Sequence, residues 1–194
     1  MRLSKRGEYA LRALINLGIA AEVGRSLVQT GELADLERIP TKFLEQILQA
    51  LKEGGFVESR RGKFGGYRLA RAAAKIPIGA VVRVIDGPLA PIGCVSQSAY
   101  EKCSCPDEAH CGLRMIMLDV RNAIAGILDR YTIGDVVSVT VRKMRRSGVP
   151  LPFADSVTPQ PGAARRRRGV LVRGRAPGDA LEGILSAILP EYTI

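Results

Sequence analysis

Three observations predict a mainly α-helical fold in which three helices run into a short β-hairpin and one long helix follows. Apolar residues recur at helical spacing in several stretches up to about residue 131. A glycine-rich run flanked by two strand-like segments interrupts them at residues 56–69. Proline and glycine stand where each helical pattern stops. The chain of 194 residues is 46% hydrophobic and 25% charged, enough apolar content to bury a core. Its apolar runs stay near ten residues, short of the roughly 20 that a membrane span needs.

The first helix is predicted over about residues 4–22, where Ala10, Leu14, Leu17 and Ala21 share one face. The basic start and small-residue end of this stretch imitate a secretory signal. Arg12 and Asn16 interrupt its apolar run, so it reads as an amphipathic helix of a cytoplasmic protein. Thr30 is a suitable N-cap for a second, short helix ending near residue 38, with Glu32 in its first turn. Ile39-Pro40 breaks that helix, and Pro40 or Thr41 opens a third. There Leu44, Ile47, Leu48 and Leu51 form an inward stripe. On the opposite face Lys42, Glu45, Gln46 and Gln49 repeat the same spacing, equipped for hydrogen bonding and not merely charged. Gly54-Gly55 ends the helix.

Between Ser59 and Arg71 the hairpin carries five basic residues and no acidic one. Gly65 and Gly66 are expected to supply the positive φ values that a tight wing needs. Three helices followed by a basic hairpin is the order of a winged helix-turn-helix. In that architecture the third helix enters the major groove of double-stranded DNA and the wing meets the neighbouring backbone or minor groove. Gln and Glu address base edges, while long cations neutralise phosphates. The candidate DNA-binding residues are Lys42, Glu45, Gln46, Gln49, Arg60, Arg61 and Lys63. The glycine-rich turn matches neither a Walker-type phosphate loop nor a dinucleotide fingerprint.

Charge divides the chain into three pieces. Residues 1–75 hold 14 basic and 8 acidic side chains, residues 76–140 hold 5 and 7, and residues 141–194 hold 10 and 4. The predicted organisation is therefore a DNA-binding domain over 1–75, a cysteine loop and long helix over 76–140, and a basic, flexible tail over 141–194. The total of +10 suits an anionic partner.

A short apolar helix over residues 78–85 ends at Asp86-Gly87-Pro88. All four cysteines, Cys94, Cys103, Cys105 and Cys111, then fall within eighteen positions spaced C-x8-C-x-C-x5-C. Soft thiolates gathered on a loop suit zinc or an iron–sulfur cluster, and the lack of paired C-x2-4-C knuckles tilts the choice to iron–sulfur. His110, the chain's one histidine, adjoins Cys111 and is expected to point elsewhere. From Leu113 onward, Ile116, Met117, Val120, Ile124, Ile127, Leu128 and Tyr131 keep helical spacing over about five turns. One winged domain cannot cover such a stripe, so this helix is the candidate dimerisation element of a homodimer reading a pseudo-palindromic operator.

Met1-Arg2-Leu3-Ser4-Lys5, Phe43-Leu44-Glu45-Gln46-Ile47-Leu48, Arg61-Gly62 and Gly65-Gly66-Tyr67-Arg68-Leu69 together resemble the winged-helix regulators of the Rrf2 family. The resemblance runs to about residue 137 and includes the cysteine loop before the long helix. It implies a homodimeric bacterial transcription factor, a repressor or an activator, often carrying a [2Fe–2S] or [4Fe–4S] cluster on three cysteines. By the family's C-x5-C pair, Cys105 and Cys111 match two ligands and Cys94 the first; Cys103 is additional and is the alternative second ligand. Where IscR-like members place a histidine ligand this chain has Arg114. NsrR-like members instead use an acidic residue of the first helix, given across the dimer, and Glu8 stands at that position.

The tail beyond residue 147 lies outside the resemblance. It opens with a linker-like Pro/Gly stretch, carries the basic block Arg165-Arg166-Arg167-Arg168, and ends in a short amphipathic pattern over residues 181–189. With one histidine and no nucleophile or cofactor motif, an enzyme is the least supported class. The rival class is a clusterless or zinc-stapled winged-helix module that binds protein.

Overall fold

A computed structural model of the chain describes residues 3–154. Among these residues it contains six α-helices and one two-stranded sheet: α1 Lys5–Glu22, α2 Thr30–Glu37, α3 Thr41–Glu53, β1 Val57–Arg60, β2 Gly66–Leu69, α4 Ile78–Asp86, α5 Gly112–Arg130 and α6 Ile133–Arg146. The basic block and the 181–189 pattern lie outside the described residues. No helix among the described residues is long and apolar enough to cross a membrane.

Helix α1 is the spine of the fold, touching α2, α3, α4, α6 and β2. Ser4 caps it, accepting a hydrogen bond from the Gly7 N–H at 3.0 Å, and donates its own N–H and hydroxyl to Asp86 at the end of α4. Ala10, Ala13, Leu14 and Leu17 of α1 meet Leu44, Ile47, Leu48 and Leu51 of α3 in one buried cluster. The α3 stripe expected from periodicity is thus fully buried, leaving the opposite face to solvent. Arg38 adopts a left-handed conformation (φ 52°) and Ile39 tucks into the core, which turns the chain sharply from α2 to α3. Glu37 at that turn is held by Arg12 and by Asn16, a buried amide of α1 that is thereby satisfied.

The hairpin β1–β2 is antiparallel, with Val57 opposite Leu69 and Arg60 opposite Gly66. Tyr67 exchanges backbone hydrogen bonds with Val28 at 2.8 and 3.0 Å, so the wing is stitched to the segment entering α2. Gly66 lies flat against Val28, where an added Cβ would stand 2.4 Å from its carbonyl oxygen.

The long helix ends where the apolar stripe does, at Tyr131, but the helix that follows it was not expected from the sequence. Tyr131 ends α5, and a capping box starts a separate helix: Thr132 Oγ1 accepts from the Asp135 N–H, and the Asp135 carboxylate accepts from the Thr132 N–H at 2.8 Å. Helix α6 then buries Ile133, Val137 and Val141 against α1. Gly18 permits that approach, since a Cβ there would meet the Val137 side chain at 2.6 Å.

Candidate functional site

Two surfaces carry the residues singled out from the sequence. The first is centred on α3. Lys42, Glu45, Gln46 and Gln49 are all exposed and, with Arg6 from α1, line a shallow depression along the helix. Gln49 also borders a second depression, formed by Gln29 and Thr30 at the start of α2, Lys52 of α3, and Arg60, Arg61 and Lys63 of the wing. The seven predicted contact residues therefore form one continuous face. It is joined by Arg6, Lys52, Gln29 and Thr30, which the sequence reading had not named. Lys52 follows Gln49 by three residues and was legible as helical spacing; Arg6 is brought there only by the packing of α1 on α3.

Not all the cations of the hairpin are available to a ligand. Arg68 pairs with Glu58 across the strands at 2.6 Å, and Arg71 lies over the Phe56 ring at 5.1 Å. Arg60, Arg61 and Lys63 have no acidic partner among the described residues. The Gln29 side chain donates to the Lys63 carbonyl at 3.2 Å, tying the wing tip to the start of α2.

The second surface is the cysteine loop. Cys94 is buried on a short 3-10 turn, Gly93–Val95, that packs on α5; Cys103 and Cys105 are half-buried; Cys111 immediately precedes the first turn of α5. All four are free thiols. Cys103 is the central one. Its sulfur accepts from the Cys105 N–H at 3.2 Å, and it lies beside the Cys94 and Cys105 thiols, with Cys105 in turn beside Cys111. Hydrogen bonds from the Cys105 thiol and backbone hold the Cys103 pKa below its usual value. Donating to Cys103, and partly buried, Cys105 is pushed up to about 12. Burial raises Cys94. The thiols form a chain of contacts, and among the described residues no three His, Cys, Asp or Glu side chains are grouped to hold a metal ion.

Glu108 organises this loop. Its two carboxylate oxygens accept from the Tyr100 hydroxyl at 3.0 and 2.9 Å, and one also accepts from the Cys103 N–H at 3.4 Å. Arg114 Nε lies 3.2 Å from the same carboxylate without being aligned for a hydrogen bond. The Tyr100 hydroxyl is the main cause of the lowered Glu108 pKa. His110 faces away to Asp107, Nδ1 to Oδ2 2.7 Å. Glu8, on α1, pairs with Lys5 at 2.6 Å and with Arg12 at 3.4 Å; the hydrogen bond from Lys5 is the leading cause of its lowered pKa.

Helix α5 buries none of its side chains within the protomer. The seven-residue apolar stripe expected from spacing divides in two. Ile116, Val120 and Ile127 are exposed together with Leu113, whereas Met117, Ile124, Leu128 and Tyr131 are half-buried. The exposed set steps by three, four and seven residues, the spacing that coiled-coil seams use. On its other side α5 packs on α4 and is clamped by the bidentate pair Arg83–Asp129 at 2.6 and 2.8 Å.

The chain is similar to known proteins over this same region. The Rrf2 family model, described as an iron-dependent transcriptional regulator, matches residues 3–139. An rrf2-like helix-turn-helix regulator of Rhodobacter capsulatus is 39% identical over 140 residues, covering 70% of this chain and 92% of that protein. The regulator IscR of Photobacterium profundum is 28% identical, covering 71% of this chain and 76% of its own. Among solved structures, CymR, the global cysteine regulator of B. subtilis, superposes with a TM-score of 0.60 at 27% identity, over 72% of this chain and 98% of that one.

Proposed function

The chain belongs to the Rrf2 family of bacterial transcriptional regulators, which are not enzymes, and on that premise we propose a cytoplasmic homodimer whose hold on operator DNA is set by an iron–sulfur cluster. One observation carries the DNA reading. Lys42, Gln46, Gln49, Arg60, Arg61 and Lys63 lie on one continuous, solvent-facing surface whose wing cations are unpaired among the described residues. Amide and carboxylate groups on α3 suit base edges, and the flanking cations suit phosphates. Dimerisation through the exposed α5 seam would set two such faces on successive turns of a pseudo-palindrome.

The loop fits a cluster in its donor chemistry, with four free thiols, one of them buried, within eighteen positions, although they lie in a chain and are not gathered around one point. Cys94, Cys105 and Cys111 would hold the group, with Cys103 or the partner's Glu8 completing it. When bound, an iron–sulfur cluster of either type supplies a redox centre responsive to iron supply, oxidants or nitric oxide. The rest belongs to the chain. Cys94 sits on the turn packed against α5 and Cys111 adjoins its first residue, so a change in the loop bears on the helix that spaces the two reading faces. A second reading draws on the chain-like arrangement of the thiols: direct thiol chemistry at Cys103, with no metal.

Purification without oxygen tests the cluster. A coloured protein containing iron and sulfide is expected, bleached by Cys94→Ser, Cys105→Ser or Cys111→Ser and less affected by Cys103→Ser. Glu8→Ala should leave iron bound but change the spectrum. Colourless metal-free protein would favour the thiol reading, and stoichiometric zinc a stapled loop. If Cys103→Ser bleaches the protein while Cys105→Ser does not, Cys103 is the second ligand.

A further inference from the structure

Phosphate attraction accounts for the cations of the wing but leaves Phe64 without a role. The chain has four phenylalanines; Phe43, Phe56 and Phe153 are buried or half-buried, whereas Phe64 is 84% exposed. Its tip is tightly built. The Gly65 N–H donates to the Gly62 carbonyl at 2.9 Å, Gln29 holds the Lys63 carbonyl, and pairing of Arg60 with Gly66 closes the strands behind it. Lys63 Nζ stands 5.8 Å from the ring centroid. The ring is therefore presented to solvent from an anchored turn, amid Arg60, Arg61 and Lys63.

That setting fits one kind of surface. No other large hydrophobic residue is exposed between β1 and the end of β2, so there is no wider apolar patch of the sort that docks a protein. A single ring flanked by unpaired cations matches a narrow, anionic cleft that holds apolar faces an inserted ring can reach. The minor groove of duplex DNA has that character: it is about 6 Å wide and lined by sugars and phosphates, and its floor of base edges gives onto stacked base faces between successive pairs. Apolar side chains inserted there part a base step, and pyrimidine–purine steps yield most readily.

We infer that Phe64 is an apolar wedge that enters the minor groove beside the α3 site, with Arg60, Arg61 and Lys63 on the bordering phosphates. Operator preference then includes a deformable base step that no side chain hydrogen-bonds. The wedge rests on the DNA-binding reading above.

The test uses the full-length protein, purified without oxygen, to enrich duplexes from a random-sequence library. The recovered duplex then carries 2-aminopurine at each step flanking its selected core. Wild-type protein should raise the fluorescence at one flanking step. Phe64→Ala should abolish that rise, weaken binding about tenfold and lose the preference for a pyrimidine–purine step over an A-tract there, at an unchanged salt slope. Phe64→Leu, still apolar, should retain the rise, and Lys63→Ala should retain it while lowering the salt slope by about 1. Circular dichroism confirms that each variant is folded. Phe64→Ala protein with wild-type affinity, fluorescence and step preference overturns the wedge, and is the pattern a protein-binding role for the ring would produce. Failure of wild-type protein to enrich any duplex overturns the DNA-binding reading itself.

Discussion

Helices α3 and α5 make opposite use of their apolar residues. In α3, Leu44, Ile47, Leu48 and Leu51 are sealed against α1, and only polar groups face water. In α5, no side chain is buried, and Leu113, Ile116, Val120 and Ile127 stand in solvent. The loop before α5 is tied by hydrogen bonds to Glu108 and Asp107 and by thiol contacts, with little apolar burial beyond Leu89, Cys94 and Val95. A polar reading face needs no cover, so one protomer completes it. On the function proposed above, the exposed apolar seam and the thiol loop would be completed from outside, by a second copy and by a bound group. The α3 head would then keep its shape, while the half proposed to space two heads would be the one that changes.

That contrast can be broken most strongly in the core of the head. Leu48→Ala should remove about 2–5 kcal/mol of stability in urea unfolding, through lost burial and the cavity left behind. Ile116→Ala, at a site 56% exposed, should cost far less when unfolding is followed at concentrations where the protein is monomeric. Equal losses would mean that α5 is as deeply packed as α3. The two sides of α5 give the next largest effect. Ile127→Asp should yield a folded monomer by light scattering, because its charge falls on the open seam. Ile124→Asp, half-buried within the protomer, should lower the melting temperature as well. A stable Ile127→Asp dimer would place the seam elsewhere.

Smaller effects separate the parts of the reading face. Gln46→Ala should relax discrimination between operator variants by about 1–3 kcal/mol. Arg61→Ala should weaken binding to all duplexes alike and reduce the salt slope by about 1. The smallest expected effect is at the clamp between α4 and α5. The Arg83 guanidinium holds the Asp129 carboxyl below its usual range, chiefly by hydrogen bonding. A carboxyl whose pKa is lowered on folding stabilises the protein at neutral pH and loses that contribution as pH falls through its folded-state value. Asp129→Asn should therefore cost up to about 1 kcal/mol at neutral pH, the scale of an exposed ion pair. The difference from wild type should vanish in acid; a constant difference across pH would exclude the ion pair as its cause.

The winged head was legible from residue order alone. Periodicity marked the buried face of α3, Pro40 and Gly54 marked its ends, and glycines marked the turn of the wing, although positive φ falls on Gly62 and Gly66 and not on Gly65. Local chemistry and a single dominant burial direction specify each of these. The clustering of the four cysteines was equally plain. Helix α6 went unread although its signal, Thr132 three residues before Asp135, was present; the strongly basic residues from 141 on read as a tail. Other features had no local signal. Which α5 residues stay exposed depends on α4 and the loop occupying one side of the helix. Arg6 joins the α3 face because α1 packs there, Phe64 projects because Gln29 and Val28 hold the wing, and Cys103 becomes the central thiol because of how the loop folds back. Sequence by itself determined elements whose periodicity and breakers act within a few residues. Tertiary structure alone decided which groups from distant segments share a surface, because that depends on how the helices pack.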